Sequence, residues 1–139
     1  MKKGKLLNSR VSSIVSKLGH TDTITVCDCG LPIDANVERI DLALTHGIPG
    51  FIETLEVICS EQFVEEVTIA EEFEDKNIIV FRKFIQVISK LEKEQKNKIK
   101  INIISHNEFK EETKKSKAII RTGEITPYSN VILHSGVVF

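Results

Sequence analysis

The sequence predicts a three-layer α/β/α sandwich built on a mixed, mostly parallel sheet. Three observations carry that expectation. Short runs rich in β-branched residues alternate with stretches whose apolar residues recur at helical spacing. Units that alternate in this way bury their apolar faces by laying helices against a sheet. The last two strand-like runs, 118–121 and 130–134, lie close together in sequence, which adds an antiparallel element to the sheet. The chain has 139 residues, 41% of them hydrophobic, so one domain spanning 1–139 with its own core is expected.

The elements follow in order. Asn8 or Ser9 caps a first helix, in which Val11, Ile14, Val15 and Leu18 fall on one face and Gly19 follows the end. Thr23 to Cys27 is a strand, and Gly30-Leu31-Pro32 is the loop after it. Glu38 to Leu44 is a second strand, and His46 to Gly50 a turn. A helix from Phe51 to Gln62 precedes a strand from Glu66 to Glu72. The longest helix starts near Asp75 or Asn77, with Phe81, Phe84, Ile85, Ile88 and Leu91 as its core stripe. Ile101 to Ile104 is a strand, and Ser105-His106-Asn107-Glu108 has the form of a capping box opening a short helix. Gly123 to Ser129 is a loop punctuated by Gly and Pro.

Composition removes several function classes. Lys plus Arg number 19 and Asp plus Glu 20, so the basic excess that nucleic-acid binding needs is missing. Near-neutral charge also leaves self-association unopposed. Three cysteines do not make a disulfide framework, and a reducing cytoplasm is the expected setting. No apolar stretch is long enough for a signal peptide or a membrane span. Walker A, dinucleotide-binding and G-x-S-x-G patterns are missing. Cys27-Asp28-Cys29 with His20 has the look of a ligand cluster. A C-x-C on a strand sends both thiols to one face, however, and no second pair stands at zinc spacing, so no metal and no cofactor are expected. His46 and His134 read as surface or turn residues, and Cys59 as a core-facing helical one.

Three polar constellations remain. His20, between a helix end and a strand, is either an imidazole answering the helix dipole or a rigidly mounted acid–base group. Asp28 stands at the other end of that strand, about 20 Å away, and either caps a turn or holds a ligand. The two need not meet within one chain; they can meet across a subunit boundary. His106 is either the first residue of a capped helix or a site residue. Arg121 to Asn130 is dense in donors and acceptors suited to sugar hydroxyls. The plain alternative is a turn in which Glu124 pairs with Arg121 and Asn130 bonds backbone.

Four segments in order give these residues a context: Leu18-Gly19-His20-Thr21-Asp22, Asp28-Cys29-Gly30-Leu31-Pro32, Ser105-His106-Asn107-Glu108-Phe109 and Arg121 to Asn130. From Leu7 to Phe139 the chain resembles the RbsD/FucU sugar mutarotases, on the D-ribose pyranase side. The resemblance implies an RbsD-like fold and a cytoplasmic isomerase. Its reaction would interconvert β-pyranose and β-furanose forms of D-ribose and supply the furanose for ribose catabolism. It implies His20 as proton donor, with Asp28, His106, Tyr128, Ser129 and Asn130 contacting sugar. It implies a homo-oligomer, a decamer of two pentameric rings, with sites between subunits. Members of the fucose branch usually lack the Thr-Pro before the Tyr and the Gly-Leu-Pro after the Asp, both present here. Two departures stand out. Cys27 and Cys29 replace residues that are often small and apolar, and Ser129 stands where Ala is common. The competing readings are a mutarotase for another monosaccharide such as fucose and a non-catalytic sugar-binding module.

Overall fold

A computed structural model describes residues 1–139. Its frame is one six-stranded sheet in the order β2-β5-β1-β6-β3-β4. The strands are β1 (Thr23–Cys27), β2 (Glu38–Asp41), β3 (Val64–Ala70), β4 (Lys100–Ile104), β5 (Ala118–Arg121) and β6 (Val131–Ser135). Only β6 runs against its neighbours, pairing antiparallel with β1 and β3, while β1–β5, β2–β5 and β3–β4 are parallel. The mixed, mostly parallel sheet therefore holds.

The antiparallel element is placed differently from the simplest reading. β5 and β6 are not hydrogen-bonded to each other, because β1 lies between them. The segment between β5 and β6 must therefore cross over the end of β1 near Cys27, and this crossing builds the cleft described below.

The helices are α1 (Ser9–Lys17), α2 (Phe51–Cys59), α3 (Glu71–Lys76), α4 (Ile78–Gln95) and α5 (His106–Thr113). The layers are unequal. α1 to α4 pack Val11, Phe51, Leu55, Phe73, Phe84 and Leu91 against one sheet face, in the larger of two cores. On the other face α5 puts Phe109 over Cys27, Ala70, Ile119 and Ile132. This pattern follows the strand alternation: Ile24 and Val26 enter the large core, and Cys27 the small one. Cys59 is also buried, and burial pushes its thiol up to about 12.

The helix ends match their capping residues. The Asn8 side chain accepts from the Val11 amide at 3.0 Å, and Ser105 and Glu108 close a reciprocal capping box. The strand expected to reach Glu72 stops at Ala70 instead. Glu71, Glu72 and Glu74 open α3, where carboxylates in a first turn answer the helix dipole and Phe73 supplies the buried anchor. Likewise β2 ends at Asp41 and α2 at Cys59, both short of the expected limits. Leu42 still bonds the Arg121 carbonyl, and Ser60 and Gln62 bond back to the last turn of α2, so these ends taper rather than break.

The 45–50 turn contains a cis Ile48–Pro49 bond and Gly47 at φ 77. It packs against Gly123, whose amide donates to Pro49 O at 2.8 Å. A side chain at Gly123 would run into the carbonyls of Thr45 and Ile48, so only glycine permits this contact. That contact fixes where the 122–130 loop begins.

Candidate functional site

Crossing from β5 to β6, the loop folds over the carboxyl end of β1. It leaves a cleft of about 310 Å³ lined by Asp28, the Cys29-to-Pro32 turn, His106, Glu124, Ile125, Pro127, Tyr128 and Asn130. Clefts outside the carboxyl ends of strands are the usual ligand sites of open α/β sheets, and this volume is at the small end of their range.

Asp28 is the buried anchor. Its backbone amide donates to Asn130 Oδ1 at 2.8 Å, and Asn130 Nδ2 donates to its carboxylate at 3.2 Å. The Gly30 amide donates to the other carboxylate oxygen at 2.9 Å. Burial raises the Asp28 carboxyl above its ordinary value, and these donors only partly oppose the rise. Asn130 thus does more than bond backbone: it ties the start of β6 to the end of β1 through both sides of its amide.

His106 opens α5 as its first residue, and its backbone amide donates to Glu72 at 3.0 Å. Its ring meets Tyr128 edge-on at 5.0 Å and lies parallel to Phe109 at 6.4 Å. Burial and the nearby Lys110 charge lower its pKa, so a neutral ring is favoured. Its Nδ1 is buried without a protein partner.

Tyr128 sits at φ 65, in the left-handed region that non-glycine residues rarely adopt, a strain of about 1–3 kcal/mol. Followed by buried Ser129 and Asn130, it is held there with its ring toward His106. Glu124 is fastened by the Phe51 and Thr126 amides at 3.3 and 3.1 Å. Burial pushes its carboxyl up, but these and the Ile125 amide hold it below the usual value.

Arg121 does not pair with Glu124. It bonds Asp41 and the Cys29 carbonyl instead, each at 3.1 Å, because β2 lies beside β5 and brings Asp41 level with it. Ser129 is fully buried, its hydroxyl has no partner, and its side chain is not part of the cleft wall. Glu124 lines the cleft, as do Ile125 and Pro127, neither of which stood out singly in the sequence.

His20 is not in this cleft. It lies at the other end of β1, about 16 Å of strand away, with its side chain 53% exposed. There it contacts Glu65 of β3, whose carboxylate oxygens lie 3.0 and 3.1 Å from Nε2. His46 is exposed, and His134 is half-buried on β6 against Thr68 at 2.9 Å, a strand position rather than a turn. Nowhere do three or more His, Cys, Asp or Glu side chains gather as a metal-ligand set.

Sheet order and cleft together define a class: an α/β sandwich presenting a small polar pocket whose carboxylate, imidazole, phenol and amide suit a hydroxyl-rich molecule. Within that class the chain belongs to the RbsD/FucU family, matching the RbsD / FucU transport protein family over residues 1–138. It is 52% identical over 139 residues to a D-ribose pyranase of Haemophilus influenzae, with 100% of both chains covered. The structure of Bacillus subtilis RbsD complexed with D-ribose superimposes with a TM-score of 0.90 at 42% identity, over 100% of each chain. The fucose mutarotase of Streptococcus pneumoniae in complex with L-fucose shares the fold at a TM-score of 0.82 and 22% identity, again over 100% of each chain. No helix is long and apolar enough to cross a membrane.

Proposed function

We propose that this protein is an intramolecular isomerase that interconverts the β-pyranose and β-furanose forms of D-ribose. The observation that carries the reading is the Asp28–His106–Tyr128–Asn130 cleft, in a chain 52% identical along its full length to a D-ribose pyranase.

The division of labour follows from the geometry. The Asp28 carboxylate accepts sugar hydroxyls, while the His106 ring, the Tyr128 phenol and the Asn130 amide complete the set that orients the ring. Ser129 contributes through its backbone. Ring opening needs a proton delivered to the ring oxygen and another withdrawn from the anomeric hydroxyl. The aldehyde then rotates and closes through a different hydroxyl. The bond from C1 to the ring oxygen breaks on opening and a bond from C1 to the other hydroxyl oxygen forms on closure, with no change of oxidation state, so acid–base groups suffice for the scheme. His20 protonates the ring oxygen and, on closure, takes a proton from the hydroxyl that attacks the aldehyde, while water accepts the anomeric proton and returns one to the new anomeric oxygen; the acid–base contribution is on the order of 10²–10⁴-fold.

Because His20 and the cleft occupy opposite ends of β1, a site containing both uses two copies of the chain. Contacts that join one end of a subunit to the other end of its neighbour build rings when the rotation between copies closes. That supports a ring-shaped homo-oligomer, which we read as a decamer of two stacked pentamers acting in the cytoplasm on D-ribose.

The test is ring-form exchange of ribose followed by NMR saturation transfer with trace protein. Acceleration far below stoichiometry is the expected result. A binding module would change exchange only at stoichiometric protein, and faster exchange of fucose than of ribose would move the substrate assignment.

Ribose affinity should also depend on pH in a definite direction. The ionised Asp28 is the form that accepts hydroxyls, so affinity is lost as the pH falls through its pKa. Burial raises that pKa, so the loss begins at higher pH than an ordinary Asp would give. His106 is shifted the other way and charges later in the descent than an ordinary imidazole. Calorimetric titration of ribose across the acid range checks this; constant affinity down to the ordinary Asp range would contradict it.

A further inference from the structure

We propose that Glu65 is the positioning residue of His20: it holds the imidazole by Nε2 and leaves Nδ1 as the atom that exchanges the proton with the sugar. This rests on His20 being the acid of the reaction, and it adds which atom acts and what orients it.

The first observation is the contact itself. Both Glu65 oxygens lie within hydrogen-bond distance of Nε2, at 3.0 and 3.1 Å. An ionised carboxylate only accepts, so Nε2 carries the hydrogen and donates. In the neutral ring Nδ1 then holds the lone pair, and in the charged ring it holds the proton to be given. A carboxylate behind an imidazole is a general way to fix tautomer and orientation.

The second observation is backbone geometry. Val64 and Val67 both enter the large core, although an uninterrupted strand would send residues three apart to opposite faces. The register resolves this: Val64 pairs with Ser135 and Glu66 with His134, so Glu65 is an extra residue in β3 with no partner on β6. It is a β-bulge, a feature that re-aims a side chain. Here the re-aimed side chain is the one that meets His20.

The third is room. A Cβ on Gly136 would come within 3.1 Å of both Glu65 Cβ and Oε2, so glycine leaves space for the carboxylate. The imidazole's own mount is equally fixed. Thr21 turns the chain at φ 70, its amide donates to Ser135 O at 2.9 Å, and Ser135 N returns a bond to Asp22 O at 2.9 Å. The nearby charged pair is already engaged, Lys117 with Asp22 at 3.4 Å, and leaves Glu65 as the carboxylate bonded to His20.

The test uses the full chain with nitrogen-15-labelled histidine. Ring nitrogen shifts report the His20 tautomer, saturation transfer reports exchange, and titration reports ribose affinity. The wild type should show His20 protonated at Nε2. Glu65→Ala should mix the tautomers and slow exchange by roughly tenfold or more, part of what acid–base catalysis contributes, with ribose affinity unchanged. Glu65→Gln keeps an acceptor oxygen and should restore the tautomer and most of the rate. A wild-type tautomer and rate in Glu65→Ala would overturn the proposal. So would a rate lost together with affinity and not restored by Gln, which marks a structural role. His20→Ala separates the two claims: full exchange in that variant removes His20 as the acid, whereas the tautomer in Glu65→Ala judges the Glu65 contact alone.

Discussion

Replacing His20 with Ala is expected to return ribose ring exchange to the uncatalysed rate while the protein stays folded and still binds sugar. The side chain is 53% exposed, and its hydrogen-bonded side-chain partner is Glu65. An exposed ion pair of this kind contributes about 0–1 kcal/mol, so the thermal transition should barely move. Loss of a positioned proton donor, in contrast, removes a factor on the order of 10²–10⁴. Saturation transfer on ribose gives the rate, thermal denaturation the stability and sedimentation the assembly. Wild-type exchange in an intact His20→Ala oligomer would end the assignment of His20 as the acid.

Asn130→Ala should fail at the opposite end of the sheet and in a different manner. Asn130 is 1% exposed and holds Asp28 by both its backbone amide and its carboxylate. Truncation leaves a buried N–H and a buried carboxylate each short of a partner, about 1–3 kcal/mol for an orphaned group. The melting temperature should fall on the order of 5–10 °C. Ribose affinity should fall with it, because Asp28 loses its fixed position. Asn130→Asp goes further, since a second carboxylate against Asp28 sets like charges side by side. Unchanged affinity in either variant would show that Asp28 does not depend on this tether. Subunits carrying His20→Ala and Asn130→Ala, mixed and reassembled, should recover part of the activity, because a composite site can draw a sound half from each. No recovery would argue against a site shared between copies.

The layout of these two ends was partly readable from residue order. Asn8, Ser105 and Glu108 announce their helices because capping is a local transaction between a side chain and the next turn. Strand segments showed through β-branched runs, and the cleft residues Asp28, His106, Tyr128 and Asn130 through their place at element ends. Pairing was less accessible. Whether β5 lies beside β6 or beside β1 is decided by which faces bury best, and the nine residues between them do not record it. For that reason the sequence offers Glu124 as a local partner for Arg121 in the plain alternative and gives no sign of Asp41 on the next strand. Ser129 enters the expected site through the resemblance alone, and its side chain is directed into the interior. Glu65 could not be singled out at all. In Val64-Glu65-Glu66-Val67 the spacing of the valines hints at a bulge, but that the freed carboxylate finds His20 is a matter of tertiary structure.

The position of β6 has a consequence for how the chain acquires its shape. The sheet consists of a β2-β5-β1 half and a β3-β4 half, and nothing but β6 hydrogen-bonds the two together. All five other strands precede it in sequence. β1 and β3 therefore each carry an edge of amides and carbonyls that only β6 pairs. The halves join when residues 131–135 pair with both. Until that moment β1 and β3 are the strands most open to mispairing with another chain. The same pairing brings Asn130 to Asp28 at one end of β1 and Gly136 beside Glu65 at the other.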